Sequence, residues 1–387
     1  MTKKGKKGKN GRPRWRSPLF TLVVVCAAAV AAGLGISISN KVAAATQSTS
    51  SPQSTTTTTV VQPLQLVSSV PASGATDVAP DSPVTLTFST AVSLSSVVPE
   101  FSPAVQGSWQ QDQPDVLTFT PSQSFVPYTK ELLTVPGGST GILGAQGQML
   151  NSSQSISFSI APGSVVRLQQ LLAQLGYLPL SFVPQGSAVV RPDQMALPQA
   201  GTFAWRWTTL PASLTSQWSP GTTNIITKGA VMQFENQSGL AADGIAGPEV
   251  WSHLLAAAAA GTVDSAPYDY VTVTKALPQH VTVYSNGASV FVTLANTGVA
   301  AAPTIDGTFP VYLRYRSTTM KGTNPNGTHY DDHNVPWVSY FNGSQGLHGF
   351  VRAGYGYPQS VGCVEMPIAA AAKVWPLTPI GTLVTVE

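Results

Sequence analysis

The chain has 387 residues, enough for two or three domains. Only 10% of them are charged, and 34 Gly and 31 Pro interrupt the rest, which suits β-rich domains joined by turns and argues against coiled coil or long solvated helices. The formal charge of +3 is concentrated at one end. Eight of the 20 basic residues fall in the first sixteen positions, leaving 12 basic against 17 acidic side chains beyond them. The body of the chain therefore lacks the basic footprint of a nucleic-acid binder.

Residues 1–16 form a basic tail. Residues 17–39 are uncharged and mostly apolar or small (Leu19, Phe20, Leu22, Ile36), about the length of a membrane-spanning helix. Positive charge ahead of the span keeps the tail cytoplasmic and sends the remainder out. Small residues at Val42-Ala43-Ala44-Ala45 also permit cleavage as a signal peptide, so the two readings are a single-pass anchor and a protein secreted to the cell wall. Residues 40–63 form a Ser/Thr linker containing five consecutive threonines, which cannot bury a core.

Residues 64–161 read as a β-sandwich. Val84, Leu86 and Phe88 alternate with polar residues, as do Leu117/Phe119 and Ile156/Phe158/Ile160, the period of half-buried strands. Pro71-Ala72-Ser73-Gly74 and Gly137-Gly138 punctuate them. Over residues 162–260 the period becomes helical. Leu168, Leu171, Leu172 and Leu175 share one face, ended by Gly176. A second helix carries Val231 and Phe234. A third begins near Pro248, with Val250, Trp251 and Leu254 facing inward. Between the first two, residues 180–224 form an insertion carrying Trp205, Trp207 and Trp218, residues suited either to stacking on sugar rings or to anchoring the insertion by burial. From 268 to 387 strands resume, with Asn286-Gly287 marking a hairpin.

Two cysteines are present, and Cys26 lies in the apolar N-terminal run, so Cys363 has no partner for a disulfide in an exported domain. Such a thiol is a candidate nucleophile. Gly362 permits close backbone approach, and amides near Gly362 and Cys363 are suited to an oxyanion. His348, fifteen residues upstream, is the candidate base, and Gly349 lets its loop pack tightly. His329, Asp331, Asp332 and His333 are read as a polar loop beside the site, with neither metal nor cofactor expected.

Three resemblances follow from these motifs. Gly74-Ala75-Thr76-Asp77 through Phe88-Ser89 resembles bacterial Ig-like domains. Arg167-Leu168-Gln169 through Leu175-Gly176-Tyr177, with Asp243-Gly244-Ile245-Ala246-Gly247-Pro248, resembles the three-helix peptidoglycan-binding domain. His348-Gly349 with Ser360-Val361-Gly362-Cys363-Val364-Glu365-Met366 resembles the signature of the L,D-transpeptidase (YkuD-like) catalytic domain, and Pro303-Thr304-Ile305-Asp306-Gly307-Thr308-Phe309 resembles a turn of that family.

The last resemblance implies a cell-wall enzyme in which Cys363 acylates on a peptidoglycan stem peptide and passes the acyl group to a neighbouring amine, making a 3–3 cross-link or attaching a protein. It implies His348 as base, the Gly349 carbonyl orienting the imidazole, the Gly362 and Cys363 amides as oxyanion hole, and Tyr330, Met320, Trp337 and Ser360 on the substrate side. Two positions depart from the family pattern. Val361 replaces a frequent histidine. Glu365 stands where Arg or Asn is usual, so that it either repels a substrate carboxylate, favouring an amidated stem, or points away. The rival class is a non-catalytic wall-binding protein with a degenerate domain. Sortases need an arginine after the cysteine, and none follows Arg352 here. Papain-like enzymes place Cys before His, the reverse of this chain.

Overall fold

The computed structural model describes residues 62–93, 97–186 and 190–387. The basic tail, the apolar run and nearly all of the Ser/Thr linker lie outside the described residues, and with them the anchor expected there. No helix among the described residues is long and apolar enough to cross a membrane. The chain from Val60 to Glu387 forms one unit built of three successive parts.

The first part holds nine strands: β1 (Leu66–Val70), β2 (Val84–Phe88), β3 (Val92–Ser93), β4 (Glu100–Phe101), β5 (Gly107–Gln113), β6 (Val116–Pro121), β7 (Lys130–Val135), β8 (Leu143–Gly144) and β9 (Gln154–Ser159). They make sheets β1-β2-β6-β5 and β4-β7-β9, with β3 paired to β8. The alternation in the sequence places Val84, Leu86, Phe88, Leu117, Phe119, Ile156 and Phe158 between the sheets, each at most 3% exposed. That is the expected sandwich.

The second part has α1 (Val165–Gln174), the insertion with β10 (Leu180–Pro184), β11 (Gly201–Trp205) and the short α2 (Ala212–Thr215), then α3 (Ile225–Gln237) and α4 (Pro248–Ala260). Ser164 caps α1 by accepting from the Arg167 N–H, Asn224 caps α3 through the Thr227 N–H, and Pro248 opens α4, all favoured start signals. The three insertion tryptophans are half-buried against the helical core. Trp207 stacks near Tyr268, ring centroids 6.4 Å apart, and Trp218 meets Phe203 at 5.2 Å. These contacts fit the anchoring role.

The third part comprises β12 (Asp269–Thr274), β13 (His280–Ser285), β14 (Ala288–Leu294), β15 (Gly307–Pro310), β16 (Leu313–Thr323), β17 (His329–Asn342), β18 (Gln345–Gly349), β19 (Val364–Met366), α5 (Ile368–Val374) and β20 (Leu383–Val386). Two sheets form, β14-β13-β12-β20-β15 and β16-β17-β18-β19. Val271, Val283, Val384, Leu347 and Val364 contribute to one core, all at most 1% exposed. Asn286 and Gly287 have φ of 47° and 79°, the doubly positive geometry of the hairpin turn their sequence signals.

The second and third parts share a core. Tyr268, just before β12, and Tyr270 and Leu383 of the strands are buried in the same cluster as Leu171, Phe234 and Trp251 of the helices. Leu383 sits beneath Gly229 of α3, where an added Cβ would lie 2.7 Å from the Gly381 carbonyl oxygen. The helices therefore pack against the β14-β13-β12-β20-β15 sheet and are joined to it by packing as well as by the chain.

Candidate active site

The parallel pair β18–β19 builds the site. Leu347 pairs with Val364 and His348 with Glu365. Leu347 and Val364 point into the core. Because faces alternate along a strand, His348 and Glu365 are directed to the opposite face, while Cys363 lies one residue ahead of β19, in the bend that follows Gly362. The β18–β19 pairing thus brings histidine and thiol, fifteen residues apart in sequence, onto adjacent segments.

His348 is buried, 2% exposed, with the Phe350 ring edge-on 6.0 Å away. Its Nδ1 lies 3.1 Å from the Gly349 carbonyl oxygen. A carbonyl only accepts, so the hydrogen sits on Nδ1 and Nε2 keeps its lone pair in the neutral ring. Burial pushes the imidazole pKa below its ordinary value, further favouring the neutral form. Gly349 has no room for a side chain. An added Cβ would lie 3.1 Å from the Ile368 Cα and 3.3 Å from the Ala371 Cβ. This glycine lets α5 close against the loop, as its sequence position suggests.

Cys363 is partly exposed. Its Sγ donates weakly to the Ser344 carbonyl at 3.5 Å. Burial pushes the thiol up to about 11, partly offset by the Gly346 N–H directed at the sulfur. At neutral pH the resting pair is therefore thiol and neutral imidazole, and any thiolate must form by proton transfer.

The turn before the sulfur corrects two expectations. Gly362 has φ of 118°, a conformation that favours glycine. Its N–H donates to the Ser360 hydroxyl at 3.2 Å, while that hydroxyl donates to the Cys363 carbonyl at 2.6 Å. The Gly362 amide is thus occupied within the turn rather than available to an oxyanion. Ser360 is 2% exposed and acts as a positioning residue instead of touching substrate. The Cys363 N–H makes no hydrogen bond among the described residues, leaving it the available donor.

Tyr330 and Tyr340 flank the sulfur. Their phenol pKa values are raised, first by burial and then by the nearby Cys363. Met320 lies on the same hairpin, paired in register with Asp332. Trp337 does not join them. Its ring packs on Trp375 at 5.7 Å and on the core between the sheets, so it supports the hairpin from below. Asp331 pairs with Lys321 at 2.8 Å and lies 3.5 Å from the His333 imidazole. Beyond Gly349, a cleft of about 350 Å³ opens between Asp332, Pro336, Phe350, Val351 and Ile368.

Of the two readings of Glu365, the structure favours the one in which it points away from substrate. It is 5% exposed. One oxygen accepts from Arg352 Nε and the other from Arg352 Nη2, both at 2.8 Å. With this bidentate geometry, the basis for expecting an amidated stem disappears.

Sequence reasoning missed three supports. The Thr304 hydroxyl donates to the Gly362 carbonyl at 2.9 Å. The Gln345 amide donates to the Pro303 carbonyl at 3.0 Å. Asn296, fully buried, accepts from the Gly356 N–H at 3.0 Å and donates to the Gly354 carbonyl at 3.2 Å. Only Thr304 carried a signal, through the 303–309 motif.

A β-domain whose strand pairing brings thiol and imidazole onto adjacent segments has the layout of an acyl-transfer domain. The comparisons give it a family: residues 268–386 match the L,D-transpeptidase catalytic domain model, YkuD, and residues 60–160 match the bacterial Ig-like domain model. The chain therefore carries an L,D-transpeptidase-type (YkuD) domain behind an Ig-like one. Similar solved structures include L,D-transpeptidase 3 from Mycobacterium tuberculosis with a faropenem-derived adduct, at 14% identity, covering 83% of this chain and 97% of that one, TM-score 0.29. An L,D-transpeptidase from Mycobacterium smegmatis matches at 13% identity over 84% of this chain and 100% of its own, TM-score 0.28. The catalytic domain of the Enterococcus faecium L,D-transpeptidase matches at 26% identity over 30% of this chain and 95% of its own, TM-score 0.28. No curated protein matches the chain.

Proposed function

We propose that this protein is a cell-wall L,D-transpeptidase acting through a Cys363 acyl-enzyme. The observation that carries the reading is the β18–β19 pairing, which sets Cys363, one residue before β19, beside the strand of His348, with the His348 Nδ1–H committed to the Gly349 carbonyl. In this reading Nε2 takes the thiol proton as sulfur attacks the carbonyl of the third residue of a stem tetrapeptide. The peptide C–N bond breaks, the imidazolium returns the proton to the departing D-alanine amine, and a thioester remains. The amine of a neighbouring stem then attacks the thioester, giving a 3–3 cross-link and restoring the thiol. The Cys363 N–H serves the oxyanion. Tyr330 and Met320 line the donor side. No metal or cofactor is called on in any of these steps.

The N-terminal run anchors the enzyme outside the cytoplasm, and the helical part contacts peptidoglycan. These two assignments are supported by the order of segments in the sequence and by the packing of three helices.

Mass spectrometry after carbapenem exposure tests the nucleophile. The expected result is one adduct on Cys363 and none in Cys363→Ala. Incubation with stem tetrapeptides should yield 3–3 dimers, and His348→Gln should lower turnover by roughly 10²–10⁴-fold. An intact domain with an unlabelled Cys363 and no dimer would leave only the wall-binding reading.

A further inference from the structure

Arg352 and Glu365 take no part in the steps above, yet they form the most tightly held ion pair beside the site. Glu365 is the register partner of His348. Its carboxylate is almost completely shielded, 6% exposed, and Arg352 reaches it from the loop after β18, its guanidinium lying 4.7 Å over the Phe350 ring. The same Phe350 ring abuts His348. Imidazole, aromatic ring, guanidinium and carboxylate thus form one contiguous group.

The charges facing His348 are Glu365 from β19, Arg352 from the following loop and Asp332 from β17, with the Cys363 thiol one residue ahead of β19. Both carboxylates favour the imidazolium, and Arg352 opposes it. An unpaired carboxylate next to a buried histidine holds a proton on the ring, and a protonated ring cannot accept the thiol proton.

We propose that Arg352 is a positioning residue for His348: its bidentate hold on Glu365 neutralises the carboxylate beside the imidazole and keeps the ring in its proton-accepting form. The pair also fixes the loop that seats Phe350 against the ring. The Tyr355 hydroxyl, which receives the Arg352 N–H at 3.2 Å and donates to the Phe350 carbonyl at 2.6 Å, locks the same loop. Glu365 and Arg352 therefore belong together, since either charge alone would shift the protonation of His348, in opposite directions.

The inference rests on His348 acting as the base. Its test reads the imidazole directly, so it is independent of turnover. The His348 titration is followed by NMR of the selectively labelled full chain, assigned with His348→Gln. Arg352→Gln should move the midpoint upward by about one pH unit, a tenfold change in proton affinity. Glu365→Gln should move it down. The double variant Arg352→Gln/Glu365→Gln, with no charge to leave unpaired, should return it close to the wild-type value. The acid limb of carbapenem acylation should shift in parallel. An unmoved midpoint in both single variants, or a double variant that stays with Arg352→Gln, would overturn the proposal. If no variant nor the wild type forms an adduct while the midpoints move as stated, the transpeptidase reading fails and the role of Arg352 stands.

Discussion

Ser360 holds the turn that presents the sulfur. Its hydroxyl receives the Gly362 N–H and gives its own hydrogen to the Cys363 carbonyl, so one side chain fixes the peptide before Gly362 and the peptide after Cys363. Ser360→Ala should cost about 1–3 kcal/mol, because buried groups lose partners. It should also slow acylation, while Ser360→Thr retains most of both. Denaturant melts and adduct kinetics measure the two effects. The thiol itself, with its pKa pushed up to about 11 by burial, is protonated at rest. Iodoacetamide alkylation of Cys363 should therefore climb steadily from pH 7 to pH 10. A plateau near pH 6 would indicate a resting thiolate–imidazolium pair instead.

The elements show how far local patterns carry information. Val84-Leu86-Phe88 and Asn286-Gly287 were legible because strand alternation and a doubly left-handed turn depend on neighbouring residues alone. Cys363 and His348 stand out as candidates for the same reason, each lying in a short motif. Tyr340, Asn296 and Gln345 were not. Their roles come from strand pairings that join distant segments, such as Asn296 to Glu365, and nothing near them in the chain indicates those partners. Glu365 stayed ambiguous in sequence because its meaning depends on Arg352, thirteen residues away on a loop. The insertion tryptophans became interpretable only once Phe203 and Tyr268 were seen against them. At the hairpin tip these levels meet. Gly287 has φ of 79°, and an added Cβ would sit 2.6 Å from the Trp207 Cγ. Gly287→Ala should destabilise by about 1–2 kcal/mol from backbone conformation alone. The displaced Trp207 would then be visible as changed tryptophan emission in the same denaturant experiment.

Across the molecule, the helical part and the five-stranded sheet share one core. Removing residues 162–260 would uncover Tyr268, Tyr270 and Leu383, an apolar patch expected to cause aggregation. A fragment beginning at residue 262 should bind a hydrophobic dye and be cleaved faster by protease than the longer chain. The helical part also makes stability depend on pH. Glu235, 1% exposed and receiving the Gly244 N–H at 2.8 Å, is pushed up to about 7 by burial. Its ordinary value is 4.5, so the protonated form is the one the fold prefers. The stabilisation is complete below the unfolded value and is lost as pH rises through about 7. Thermal melts should fall from pH 5 to pH 8 in the wild type, and Glu235→Gln should flatten that slope.

Strand β20 lies between β12 and β15 in the middle of its sheet, although it follows Cys363 by some twenty residues in the chain. Without Leu383–Val386, β12 and β15 have no common neighbour, and the helices lose Leu383 from the core they share with Tyr268 and Tyr270. The last strand thus ties the five-stranded sheet to the helices, while the imidazole stands on the other sheet and the thiol just before its strand β19.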